Sequence, residues 1–294
     1  MFCIIYYSYP TIISIAATTP ENITRPSITI CNDNYINRTY FCMEYPDLCE
    51  TPENLENYCQ QKPFVCEGNT SDLLFAKMDI SSDSSQKNFS DAVRNIQLAH
   101  NMSQNAESLF GWNVQSHKSK LKKTFIFNPT LRIYNLCYSS NFHLNDSEEA
   151  ETHKIKSAFG EKMDFFLVYL PDKESAFLEN PARVFFSVHS PFVLDNFVLY
   201  KNEMKPGHHY KIYIRLEEEH LLPYPYFTDC TDYNTIWKKN NRKGPRSQQA
   251  CKMECWRSYE ELCSECDGGF GLLKKPEICS GGMRLLRKIP LLEM

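Results

Sequence analysis

The stretch RVFFSVH, Arg183–His189, is short, β-branched and aromatic, and it reads as a β-strand. FFLVYL, Phe165–Leu170, carries the same signal. In YKIYIRL the residues Tyr210, Ile212, Ile214 and Leu216 alternate with Lys211, Tyr213 and Arg215. That is period two, so a strand with one buried face and one wetter face is expected here. Pro206-Gly207 just before it reads as a turn. Loops separate these strands, without the strand–helix alternation of a parallel sheet, and the fold class is therefore α+β.

The helical signal lies upstream. From Phe89 to Phe110 apolar residues recur at three- and four-residue steps: Phe89, Val93, Ile96, Ala99 and Met102. Ser90 before Asp91 reads as the N-cap. The polar stretch MDISSDSSQKN, residues 78–88, reads as a surface loop. No internal repeat is evident.

The chain has 294 residues, 42% of them hydrophobic, and a formal net charge of −4. That is enough to bury one large core or two ordinary ones, and it excludes the strongly basic footprint of a nucleic-acid binder. The 13 cysteines allow metal binding or disulfides. Asn-x-Ser/Thr occurs at Asn22, Asn37, Asn69, Asn88, Asn101 and Asn145, whereas Asn128 fails because Pro129 follows. Together with the cysteines, these glycosylation signals point to an oxidising, extracellular or lumenal setting.

The chain starts with the apolar run FCIIYYSYPTIISIAA, Phe2–Ala17. It falls short of the ~20 apolar residues of a membrane span. Ala16-Ala17 would suit signal cleavage, but no basic residue precedes the run. The other reading is the outer end of a membrane helix. No other stretch is apolar and long enough to span.

Cys42, Cys49, Cys59 and Cys66 lie close together and are expected to form two local bridges. Four cysteines allow three pairings, and spacing does not choose among them. Farther on come Cys230, Cys251, Cys255, Cys263, Cys266 and Cys279. Their Cys-x3-Cys and Cys-x2-Cys spacings would suit zinc, but the compartment favours disulfides. The terminal RLLRKIPLLEM reads as a frayed tail.

Catalytic signatures are missing: there is no G-x-S-x-G, H-E-x-x-H or P-loop. His208 and His209 are neighbours, and on a strand they face opposite sides, a poor chelate. His189 beside Ser190 lacks a third group to orient a base. Glu217–Glu219 reads as a solvated acidic run rather than a Ca²⁺ site. Neither a catalytic residue nor a metal nor a cofactor is assigned, and a hydrolase reading has no residues behind it.

LLPYPYFTDC, Leu221–Cys230, sets two prolines and two tyrosines before a cysteine. Pro223 and Pro225 hold the backbone near polyproline II and stiffen it. A stiff segment transmits displacement better than a slack one.

Several stretches, in order, resemble the degenerin/epithelial sodium channel family. YYSYP (Tyr6–Pro10) is similar to its junction between first membrane helix and ectodomain, and RPSITICN (Arg25–Asn32) to its post-membrane strand. YNLCYSSN (Tyr134–Asn141) resembles its Gly-x-Cys-Tyr-x-Phe-Asn motif. VHSP (Val188–Pro191), KPGHHYKIYI (Lys205–Ile214), LLPYPYFTDCTDY (Leu221–Tyr233) and SQQACKMEC (Ser247–Cys255) follow in family order. The likeness covers about residues 4–280 and looks closest to divergent arthropod members. Arg25 stands where the family usually has an aromatic, Asn135 where glycine is common, and Ser139-Ser140 where Thr-Phe is usual. CSEC has one residue more than the usual Cys-x-Cys.

The resemblance implies a disulfide-rich channel ectodomain with a palm-type antiparallel sheet, a helical finger insertion and the start of a thumb. Residues 1–9 would be the outer end of the first membrane helix and 10–31 the first palm strand. Residues 32–134 would form a cysteine-rich and helical finger and knuckle region, 135–222 palm and β-ball strands, and 223–294 the wrist loop and a truncated thumb. Cys31 would pair with Cys137 and Cys266 with Cys279. Cys230, Cys251, Cys255 and Cys263 would pair with thumb cysteines farther along, and the second membrane helix with its pore would lie there too. Tyr9 and Tyr226, with Pro223 and Pro225, would form the gating wrist. The implied function is the extracellular part of a stimulus-gated sodium channel subunit at the plasma membrane, working as a homo- or hetero-trimer that passes sodium ions and answers an unknown extracellular ligand. The alternative is a secreted disulfide-rich glycoprotein acting as a binding module, released by cleavage near Ala17.

Overall fold

A computed structural model describes residues 9, 15, 20–32, 36–71, 73–77, 83–101, 112–128, 133–144, 147–154, 164–170, 183–193, 202–205, 207–217 and 219–264. Its centre is a five-stranded antiparallel sheet. The strands are β2 (Ser27–Asn32), β6 (Leu121–Asn128), β7 (Ile133–Ser140), β10 (Val184–His189) and β11 (Glu203–Met204), in the order β11-β10-β2-β7-β6. RVFFSVH thus supplies an interior strand, with all six residues of β10 paired to β2.

Alternation along these strands gives the sheet two different faces. One face is apolar: Ile30, Phe125, Tyr134, Leu136, Tyr138 and Val184 are buried with Phe89, Val93 and Ile96 of helix α3 (Asp83–Asn101) and Phe41 of α1 (Arg38–Glu44). The opposite face carries Cys31 and Cys137, which sit directly across from each other on β2 and β7 and are joined by a disulfide. Ile126, Phe142 and Leu144 pack around that bridge, and Ala250 of α5 (Gln248–Ser264) covers it.

A polar row shares the disulfide face. Nε2 of His189 lies 2.8 Å from Oγ1 of Thr29, which lies 2.8 Å from Oγ of Ser139, which lies 3.3 Å from Oγ1 of Thr124. Thr29, Ser139 and Thr124 are buried, and each hydroxyl finds a partner on the next strand. The row therefore crosses four strands without leaving those hydroxyls unsatisfied.

Among the described residues three two-stranded sheets surround the centre: β1 (Asn22–Thr24) with β8 (Thr152–Lys154), β3 (Cys49–Glu50) with β4 (Phe75–Ala76), and β5 (Asn113–Ser116) with β9 (Phe166–Tyr169). β9 comes from FFLVYL. Phe166, Val168 and Leu170 pack against the core, while Phe165, Leu167 and Tyr169 are exposed.

Arg25 ties two of these flanking sheets to the centre. Its backbone donates to Glu151 O at 2.8 Å, and its buried guanidinium meets Glu151 at 2.7 Å as well as Asp164 and Ser119. Where the family usually has an aromatic, this chain has a cation with two carboxylates placed to neutralise it.

The segment Asn37–Cys66 is a tandem repeat that the sequence reading did not find. Asn54, Cys59, Pro63 and Cys66 each fall 17 residues after Asn37, Cys42, Pro46 and Cys49. Each unit is a seven-residue helix, α1 or α2 (Leu55–Gln61), ended by a proline-led 3-10 turn. The side chain of Asn37 caps the first helix at Tyr40 N, and that of Asn54 caps the second at Asn57 N. Each unit closes on itself, through Cys42–Cys49 and Cys59–Cys66. Of the three pairings left open by spacing, the structure takes the one that joins nearest neighbours in sequence.

Two expectations are corrected. Tyr210–Leu216 is not a strand: it pairs with nothing among the described residues, and Tyr210 through Leu216 are all exposed. Its alternation encodes a face, but a face becomes a strand only when a neighbour supplies the ladder. The helix α3 begins at Asp83, inside the stretch read as a loop, and Ser90 is a buried residue within it rather than its cap. Within the polar residues Asp83–Asn88, Gln86 and Lys87 are good helix formers, and the helix runs through the other four as its first turns. The part of the predicted helix from Met102 to Phe110 lies outside the described residues, as does the tail.

Candidate functional site: a ring contact at the proline loop

The Leu221–Cys230 segment folds back on itself. Leu222 O accepts from Cys230 N at 3.1 Å and from the Thr228 hydroxyl at 2.6 Å. Inside that closure Tyr226 N donates to Pro223 O at 3.1 Å and Asp229 N to Tyr226 O at 3.0 Å. Asp229 takes a left-handed φ of 37°, and the Tyr224–Pro225 peptide is cis. Two prolines and four internal hydrogen bonds thus hold a compact surface loop, not the extended polyproline II expected of the prolines.

The loop has two sides. Pro225 and Tyr226 are half-buried. Tyr226 meets Tyr9 edge to face, with ring centroids 5.7 Å apart and planes at 71°. That is the favoured geometry for two aromatic quadrupoles. Tyr9 itself holds a left-handed φ of 46°, uncommon for a tyrosine. Pro223, Tyr224 and Phe227 face outward.

The loop leads directly into helix α4 (Tyr233–Lys239). Asp232 caps it, accepting from Thr235 N at 3.0 Å and from its hydroxyl at 2.6 Å. These bonds hold the Asp232 carboxyl below its ordinary value. Partial burial, and then the Cys251 thiol beside it, push the Tyr233 hydroxyl up.

Behind α4 lies a feature that sequence reasoning missed. The guanidinium of Arg246 stands between two rings, 3.8 Å from the Phe192 centroid and 4.0 Å from that of Trp237. It donates to Glu148 O at 3.0 Å, Glu149 at 3.0 Å and Asn234 at 3.2 Å. Ser247, next in the chain, donates to Phe192 O at 3.0 Å and caps α5 at Ala250 N. Arg246 and Ser247 thereby join the segment after β10, residues 148–149 and the helices α4 and α5. No local spacing announces it, because Phe192 and Glu149 are far away in sequence.

Cys230 and Cys255 are exposed and Cys251 is half-buried, and none of the three forms a disulfide among the described residues. The side chain of Cys263 and the whole of Cys266 and Cys279 lie outside them. Asn22, Asn69 and Asn88 are exposed, and Asn37 is half-buried with its Oδ1 engaged as a cap. Asn101 ends α3, and Asn145 lies outside the described residues. His208 and His209 are exposed, and no cluster suited to a metal occurs among the described residues.

A family model for the amiloride-sensitive sodium channel matches residues 2–269. The chain belongs to the amiloride-sensitive sodium channel family. No curated protein and no solved structure matches it. The matched span takes in both rings of the Tyr9–Tyr226 contact, the central sheet and the three disulfides found among the described residues. Amiloride-sensitive sodium channels are ion channels rather than enzymes, plasma-membrane assemblies of several subunits with extracellular domains. The disulfide-bonded α+β body is an ectodomain of that kind. No described helix is long and apolar enough to cross a membrane.

Proposed function

We propose that this chain is the extracellular part of a stimulus-gated sodium channel subunit, and that Tyr9 and Tyr226 form the joint through which the ectodomain moves the membrane segments. The ring contact is the observation that supports this reading. Tyr9 belongs to the most apolar stretch of the chain, and Tyr226 to a loop stiffened by Pro223 and Pro225. An aromatic pair contributes about 0.5–1.5 kcal/mol beyond its burial. That is enough to keep the two parts in touch and small enough to let the rings slide during gating.

The loop's position favours such a role. Through Cys230 and α4 it continues into the Arg246 stack, which is fastened to the sheet side of the molecule. A displacement of the thumb helices therefore reaches Tyr226 along hydrogen-bonded, ring-packed structure rather than along a slack tether. On this reading residues 32–134 act as finger and knuckle, the central sheet as palm, and the segment from 223 as wrist and thumb. The working channel is a trimer of like or related subunits that passes sodium ions in answer to an extracellular stimulus, and the sequon asparagines carry glycans.

The test is Tyr226→Ala beside Tyr226→Phe in the channel expressed at a cell surface. Alanine removes the ring and uncouples current from the stimulus while surface protein stays nearly unchanged; phenylalanine keeps the ring and the coupling. Stimulus-evoked currents equal to wild type in the alanine variant contradict the proposal.

A further inference from the structure

We propose that Tyr224 and Phe227 are lipid-facing anchors: two rings on the outer side of the proline loop that enter the interfacial layer of the bilayer. This inference rests on the reading of the loop as a membrane-adjacent joint and adds the partner of its outer side. Phe227 is fully exposed and Tyr224 is 81% exposed, with Leu221 and Leu222 also turned outward. Contiguous exposed apolar groups on a well-built loop mark an interaction surface. A phenol and a phenyl ring beside two leucines suit the boundary between headgroups and acyl chains, where an apolar body and a polar tip are both satisfied.

The backbone fits the same occupant. Entering a layer poor in water is costly for any peptide group without a partner. Here Leu222 O accepts twice, Tyr226 N and Asp229 N donate within the loop, and prolines at 223 and 225 have no N–H to lose. No charged side chain occurs from Leu221 to Thr228. The placement is also continuous with the apolar start of the chain, because the inner side of the loop holds Tyr9 through Tyr226. When the stretch that contains Tyr9 sits at a bilayer, the loop is brought to the same level, with its rings on the side away from the protein.

The probe is Phe227→Trp in the full chain, mixed with vesicles of dioleoylphosphatidylcholine or of a phosphatidylcholine brominated high on its acyl chains. The native tryptophans, Trp112, Trp237 and Trp256, are subtracted with the unsubstituted chain. The position is fully exposed, so the substitution displaces no packing. The expected result is loss of the added emission in brominated vesicles, repeated with Tyr224→Trp. Added emission that stays solvent-like in both vesicles overturns the proposal. So does blue-shifted emission that bromine does not quench, which assigns the rings to protein, either a second copy or another segment of the chain. The gating reading falls on a different measurement, the current of Tyr226→Ala, so the two failures are distinguishable.

Discussion

Arg246 packs between two rings, its guanidinium carbon 4.0 Å from the Trp237 centroid and 3.8 Å from that of Phe192. The side chain is 4% exposed, yet it keeps Glu149, Asn234 and a carbonyl as acceptors. Arg246→Met fills similar space but leaves those acceptors unmet and removes the cation from two rings. The expected loss is about 2–4 kcal/mol, read as the midpoint of chemical unfolding. Arg246→Lys recovers only part of it, because an ammonium cannot stack flat or bond three acceptors in one plane.

Arg25 and Asp164 should behave as a coupled pair. Arg25→Phe restores the aromatic usual in the family but strands a largely buried carboxylate, and a loss of about 2–4 kcal/mol is expected. Adding Asp164→Asn should return part of that loss. A double-mutant cycle on thermal unfolding checks this; strictly additive effects would show that the two side chains do not communicate.

The disulfides differ in the loop each one closes. Cys31–Cys137 spans 106 residues, whereas Cys42–Cys49 spans 7. Loop entropy makes the long bridge worth more by roughly 2 kcal/mol. Cys31→Ser should therefore reduce surface expression well below the level of Cys42→Ser, measured by surface biotinylation.

The cap of α4 depends on pH. The Asp232 carboxyl titrates lower in the folded chain than its ordinary 3.8. Its stabilisation is therefore fully present above that value and disappears as pH falls through the folded pKa. Wild type should be more stable than Asp232→Ala at neutral pH, and the gap should narrow in acid. A gap that persists unchanged at the acid end would assign the effect to something other than the carboxylate.

The strands of the centre were legible because β-branched and aromatic runs such as Val184–His189 bury residues on both faces, Val184 on one and Phe185 on the other. The phase of α3 was legible from Phe89, Val93 and Ile96, but its start was not, since Asp83–Asn88 carry the same polar residues as a loop. Tyr210–Leu216 shows the opposite failure: the alternation is real, but pairing depends on distant chain. The tandem units escaped notice because only four positions recur, an asparagine, two cysteines and a proline, among unrelated fillers. The Arg246 stack is written in residues that only the fold assembles, whereas the Tyr9–Tyr226 pairing came from family order rather than from local pattern.

The spans of the bridges also set a timetable for synthesis. The thiols of each tandem unit emerge together and can close while the rest of the chain is still being made. Cys31 must wait for 106 more residues, roughly 5–20 s at ordinary elongation rates. During that interval it is a nascent thiol beside freshly made cysteines with which it must not react. Early, self-contained closure at Cys42–Cys49 and Cys59–Cys66 takes those rivals out of reach before Cys137 arrives.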